Sequence, residues 1–134
     1  QPIRIHSIYQ IFTRHPGVNF VICHLLAPNG KQEEELKRAL EGLALPNVWF
    51  DLASVPHNCM DASEPWKRAG AYVRLARDLV GADKLLFGTD MPSALKEAPY
   101  GDYVRWIREM EGLNDAEREQ ILYQNAAKVY AGLS

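Results

Sequence analysis

An α/β fold of parallel strand–helix units is predicted by two features of the sequence. Three short apolar runs rich in β-branched and aromatic residues alternate with segments of helical period, and Pro, Gly or Asn punctuates the boundaries. Single helices between successive strands favour parallel pairing with right-handed crossovers. Three strands make a thin sheet for so many helices, so the residues themselves allow either a small open sheet or part of a larger closed barrel.

Each element has its own signal. Residues 2–14 place Ile5, Ile8, Tyr9 and Phe12 at i, i+3, i+4 and i+7, one apolar face of a helix that His15-Pro16-Gly17 ends. Residues 18–24 (VNFVICH) then read as a buried strand. Residues 31–43 form a second helix, with Leu36, Leu40 and Leu43 inward and Glu33, Glu34 and Glu35 near its positive N-terminal end. Pro46-Asn47 turns the chain into the strand 48–54 (VWFDLAS). A third helix over 66–80 is closed by Gly81, and the strand 84–90 (KLLFGTD) follows. Residues 100–110 are helical with Tyr103, Val104 and Ile107 inward. Asn114 caps the last helix, Glu117 completes a box-like pattern, and that helix runs to about residue 131.

The 134 residues, 47% apolar and 24% charged, suit one domain over 1–134 with a proper core. With 15 Lys+Arg against 17 Asp+Glu, the chain lacks the basic footprint of a nucleic-acid partner. No apolar run approaches the roughly 20 residues that cross a bilayer, and no secretory signal opens the chain. Cys23 and Cys59 give neither a disulfide framework nor a Cys-x-x-Cys pair, so reduced thiols in the cytoplasm are expected. The chain begins at Gln1, already in a helix-like pattern, which suggests a piece of something longer.

In parallel α/β folds, ligands bind beyond the carboxyl ends of the strands. Here those ends are Cys23-His24, Leu52-Ala53-Ser54 and Gly88-Thr89-Asp90, so an imidazole and a carboxylate close two strands at one rim. Taken singly, Asp90 before Met91-Pro92 reads equally as a turn cap, and His24 as a hydrogen-bonded rim residue. Together they suit a metal such as Zn²⁺ or general acid/base work, although zinc sites usually need three protein ligands. Ser54, and His57 in the loop 55–65, are candidates to contact substrate. His6 ends a segment that could pass for another strand, but the period there is helical; His15, before Pro16, is expected to be solvated. Trp49 is expected to pack under a helix, with Asp51 on the same strand face. Trp66 and Trp106 read as core, Cys23 as a buried inert thiol, and Asn125 as a tie between helix and loop. Residues 25–30 hold one Gly, too few for the phosphate loop of a flavodoxin-like domain.

Three segments, HPGVNFVICH, KLLFGTDMP and EQILYQNAAKVYAGL, resemble in order and spacing the histidine strand, the last-strand Gly-Ser/Thr-Asp-x-Pro signature and the C-terminal helix of the amidohydrolase-related (amidohydrolase 2) family. The resemblance implies a metal-dependent (β/α)8 barrel. Such barrels take about 250 residues, so the chain would be the C-terminal half: strands six to eight with an extra C-terminal helix. It implies that Asp90 is a metal ligand and proton shuttle for the attacking water. It also implies that His24 binds a second metal or polarises the substrate. The family's His-x-His of strand one has no counterpart here, and its strand-five metal-binding His would have to be His6, whose segment has a helical period. The implied cofactor is a divalent metal, Zn foremost, with Mn or another possible. The implied substrate is a small carboxylated or cyclic molecule, opened by hydrolysis or decarboxylated. On this reading the chain alone is incomplete and inactive. The missing half or a second copy would cover the open edge of the first strand. The alternative is a non-catalytic barrel half kept as an assembly or interaction module.

Overall fold

The computed structural model describes residues 5–29 and 33–131. Within them the elements are α1 (Ile5–Arg14), β1 (Phe20–Ile22), α2 (Glu33–Gly42), β2 (Val48–Asp51), α3 (Pro65–Val80), β3 (Leu85–Leu86), α4 (Tyr100–Arg108), α5 (Asp115–Glu119), a π-helical turn (Gln120–Gln124) and α6 (Asn125–Val129). The expected starts of the first two helices, at residues 2–4 and 31–32, lie outside the described residues.

The strands form one parallel sheet in the order β1-β2-β3. Register pairs Phe20 with Val48, Ile22 with Phe50 and Phe50 with Leu85; these side chains belong to the helix-packed side. The core there joins Phe50, Val48 and Leu85 to Leu36 and Leu40 of α2, Val73 and Ala76 of α3, Ile107 of α4 and Ile121. Burying each large side chain contributes about 1.5–3 kcal/mol, which makes this face the main source of stability. The opposite face carries Val21, Trp49, Asp51 and Leu86. Trp49 thus stands on the face opposite the helix-packed core of the described residues, contrary to expectation; Lys84 Nζ sits 4.0 Å above its ring.

Strands are shorter than expected: β1 gives way directly to a 3₁₀ turn (Cys23–Leu26) whose His24 and Leu25 are left-handed, and the left-handed Ser54 and Asp90 lie a few residues beyond the ends of β2 and β3. Tyr9, expected in the buried stripe, is 42% exposed, while Phe12 is buried 4.4 Å from the Phe20 ring. The turn after α1 is tied by Asn47, whose Nδ2 donates to the carbonyls of Phe12, His15 and Val18, each at 3.1 Å. The Asn114–Glu117 capping box forms as expected, with bonds of 2.8 and 3.2 Å. The last helix is interrupted by its π-helical turn, where the Ile121 carbonyl accepts Phe87 N–H at 2.9 Å. Asn125 is buried, and its Nδ2 donates to Ala82 O at 2.7 Å and Leu85 O at 2.8 Å, the helix-to-loop tie its position suggested. No helix among the described residues is long and apolar enough to cross a membrane.

Candidate active site

Six described residues other than glycine have positive φ: His24, Leu25, Leu26, Ala27, Ser54 and Asp90. All follow the C-terminal ends of the three strands. A left-handed L-residue costs roughly 1–2 kcal/mol, and such strain persists only where surrounding contacts enforce it. Those contacts are visible. Asp51 Oδ1 accepts His24 N–H at 2.8 Å and Ala53 N–H at 3.1 Å, fixing two exits with one carboxylate. Leu25 is fully buried, and Ala27 N–H returns to His24 O at 2.7 Å. Gly88 runs so close to β2 that an added Cβ would lie 3.2 Å from Ala53 Cβ, which explains the glycine in GTD.

Beyond this rim, Asp90 is exposed, and its Oδ2 accepts the Ser54 hydroxyl at 2.8 Å. The carboxylate caps no helix; only the Asp90 backbone carbonyl takes a turn bond, from Ala94 N–H at 3.3 Å. Asp90, Ser54 and His57 line one cleft of about 310 Å³ together with Ser93, Lys96 and Glu97. His57 Nδ1 lies 2.7 Å from Glu97 Oε1. Three of the four expected site residues are therefore brought together. His24 is not among the residues lining that cleft. It leaves β1 with β2 intervening, and two strand spacings amount to about 10 Å. A larger cleft, about 670 Å³, lies between α3 and α4 beside Trp66 and Trp106 and shares no lining residue with the first.

Several single residues resolve as well. Cys23 is exposed rather than buried, because the chain turns out of the strand at that point. Loss of solvent pushes its thiol pKa up, and the Asp51 charge and hydrogen bond and the Asp90 charge add to this. Burial likewise raises the Cys59 thiol. His6 sits exposed on α1, its Nε2 2.9 Å from Gln10 Nε2, and His15 is exposed. Glu97 and the bridging role of Asp51 escaped sequence reasoning. A signal for Glu97 existed, since it lies in the loop that follows the β3 exit.

Residues 1–132 match the Amidohydrolase family. The chain belongs to that family. It is 29% identical over 114 residues to an L-fucono-1,5-lactonase of Burkholderia ambifaria, an alignment covering 79% of this chain and 37% of that protein. An amidohydrolase from Burkholderia multivorans, crystallised with bound Zn, superposes with a TM-score of 0.81 at 24% identity, covering 96% of this chain and 49% of that one. A putative 2-pyrone-4,6-dicarboxylic acid hydrolase from Pseudomonas putida gives 0.73 at 19% identity, covering 94% and 48%. This amidohydrolase-family chain thus spans half or less of the length of these relatives. Its parallel strand–helix units have the fold of the C-terminal part of their TIM barrels.

A metal site in this family member has to be judged on its donors. Among the described residues no group of three or more His, Cys, Asp or Glu is placed to hold a metal ion. Asp51 is committed to two backbone N–H groups. Among the described residues neither Asp90 Oδ1 nor the His24 ring makes a hydrogen bond, so each side chain fits as a single ligand of a larger set.

Proposed function

We propose that this chain supplies the strand-six-to-eight rim of a metal-assisted hydrolase that opens a small cyclic ester. The observation that carries the reading is Asp90, an exposed carboxylate held by Ser54 on a strained strand exit and sharing a cleft with His57. Relatives named as a fucono-lactonase and a pyrone-dicarboxylic acid hydrolase support ring opening over other family chemistry. Asp90 would be one ligand of a divalent metal, Zn foremost, with further ligands from outside the described residues, and His24, at the β1 exit, would bind a second metal or polarise the substrate; when bound the metal supplies a Lewis acid and a water of lowered pKa. Asp90 accepts the proton of the attacking water and returns it to the ring oxygen that leaves. Ser54 holds the carboxylate in the one orientation, and His57 and Lys96 contact the polar groups of the substrate. The exposed edge of β1 is covered by preceding strands of the same protein or by a second copy, in the cytoplasm.

The test is a pH-indicator assay of sugar-lactone opening by the whole protein with and without added Zn²⁺. Asp90→Asn is expected to lower kcat by about 10²–10⁴, the usual worth of a positioned base. Equal turnover in Asp90→Asn would overturn the reading and favour the assembly module.

A further inference from the structure

We propose that Glu97 is a positioning residue that holds His57 in its Nδ1–H tautomer, so that Nε2 presents a lone pair to the cleft and accepts a hydrogen bond from a hydroxyl or N–H of the substrate. The substrate contact rests on the function proposed above; the tautomer does not.

The argument starts from donor chemistry. An ionised carboxylate only accepts hydrogen bonds, so the 2.7 Å contact between Glu97 Oε1 and His57 Nδ1 needs the proton on Nδ1. In a neutral imidazole the other nitrogen is then the acceptor. Free imidazole of histidine favours the opposite tautomer, with the proton on Nε2, so the pairing has to be imposed. Exposure says which partner imposes it: the Glu97 side chain is 18% exposed and that of His57 60%.

Glu97 is also the better anchored. It follows the 3₁₀ turn Ser93–Lys96, and its N–H donates to Ala94 O at 3.1 Å. The same carbonyl accepts the buried Tyr103 hydroxyl at 2.9 Å, which fastens the turn to α4. Ala94, Ala98 and Tyr103 form a small core of their own, and the Trp66 ring lies edge-on 5.0 Å from Tyr103. His57, by contrast, belongs to a short 3₁₀ turn, His57–Cys59, and presents its ring outward. Among the described residues its Nε2 makes no hydrogen bond. The cleft around it offers the Asp90 and Glu97 carboxylates, the Ser54 and Ser93 hydroxyls and the Lys96 ammonium. An acceptor on His57 adds to a lining already rich in acceptors, which suits a ligand that brings its own donors.

Histidine side-chain ¹⁵N NMR on the protein, recorded in alkaline buffer, reads the tautomer without substrate or metal. The wild type is expected to show a protonated Nδ1 and an unprotonated Nε2. Glu97→Ala is expected to shift the balance to Nε2–H. Glu97→Gln, whose carboxamide oxygen can still accept, is expected to keep most of the Nδ1–H form, which separates lost pairing from lost folding. In lactone turnover, Glu97→Ala should raise KM about fivefold to tenfold, the fold-change of one uncharged hydrogen bond, with kcat little changed. A wild-type His57 in the Nε2–H form, or a tautomer indifferent to Glu97→Ala, would overturn the proposal. A correct tautomer with no lactone turnover would count only against the function on which the substrate contact rests.

Discussion

Replacing Asn125 with Asp removes two amide protons at the place where the last helix grips β3. In the native chain that amide donates to Ala82 O at 2.7 Å and Leu85 O at 2.8 Å, and the side chain is 5% exposed. Each lost bond is worth about 1 kcal/mol, and a carbonyl left unpaired in the interior costs about 1–3 kcal/mol. A carboxylate of the same shape adds an acceptor facing two acceptors, so the loss should be about 2–5 kcal/mol. Unfolding entropy near 2.1 cal/mol/K per residue gives about 0.28 kcal/mol/K for a chain of this size, and the melting temperature should fall by about 7–18 °C in calorimetry at pH 7. Asn125→Ala should sit at the lower end. The introduced carboxyl would have its folded pKa raised above its unfolded value by burial beside carbonyls. It then binds more protons folded than unfolded, so the stability of the variant declines as pH rises through that window and recovers on acidification. A fall of less than 3 °C at pH 7, or a deficit that is flat with pH, would refute the account of how β3 is anchored.

Other outcomes follow from the rim and the sheet edge. Cys23 is exposed, yet loss of solvent and the neighbouring Asp51 and Asp90 carboxylates raise its thiol pKa. Iodoacetamide at pH 8 should therefore modify it more slowly than a free cysteine, with Asp51→Asn recovering part of the speed; an unchanged rate in that variant would contradict the electrostatic contribution of Asp51. Across β1 the described residues offer no further strand, whereas past β3 the Phe87 N–H is already taken by Ile121 O. The isolated chain should accordingly run larger than 15.2 kDa on size exclusion or bind ANS, and a dye-negative monomer would argue against an exposed edge.

Much of the scaffold could be read from residue pattern because pattern and packing ask for the same thing. Leu36, Leu40 and Leu43 repeat at helical spacing and all are buried. Asn114 and Glu117 carry their capping bonds in a four-residue window, so local sequence determines them. Asn125 was readable as an oddity, a poor helix former held in a helix interior. Strand ends were not readable, since His24, Ser54 and Asp90 adopt positive φ for reasons that lie in distant contacts rather than in their own propensities. The bond from His24 N–H to Asp51 links residues 27 positions apart, and His57 to Glu97 spans 40. No local signal marks Asp51 as a partner, and Glu97 is marked only by its place in the loop after the β3 exit. Trp49 was misplaced for a related reason: alternation says that two strand faces differ, but not which of them a helix covers.

The four consecutive left-handed residues from His24 to Ala27, with Ser54 and Asp90, have a consequence for stiffness. Glycine in such a turn wanders among several basins, whereas an L-residue held there has one narrow well. The mouth of the sheet is thus a cast shape rather than a hinge. Glycines in place of Leu25, Leu26, Ala27 and Ser54 would relieve the backbone and blur the aim of the neighbouring His24 imidazole and Asp90 carboxylate, so a variant selected only for heat resistance would tend to drift away from chemistry.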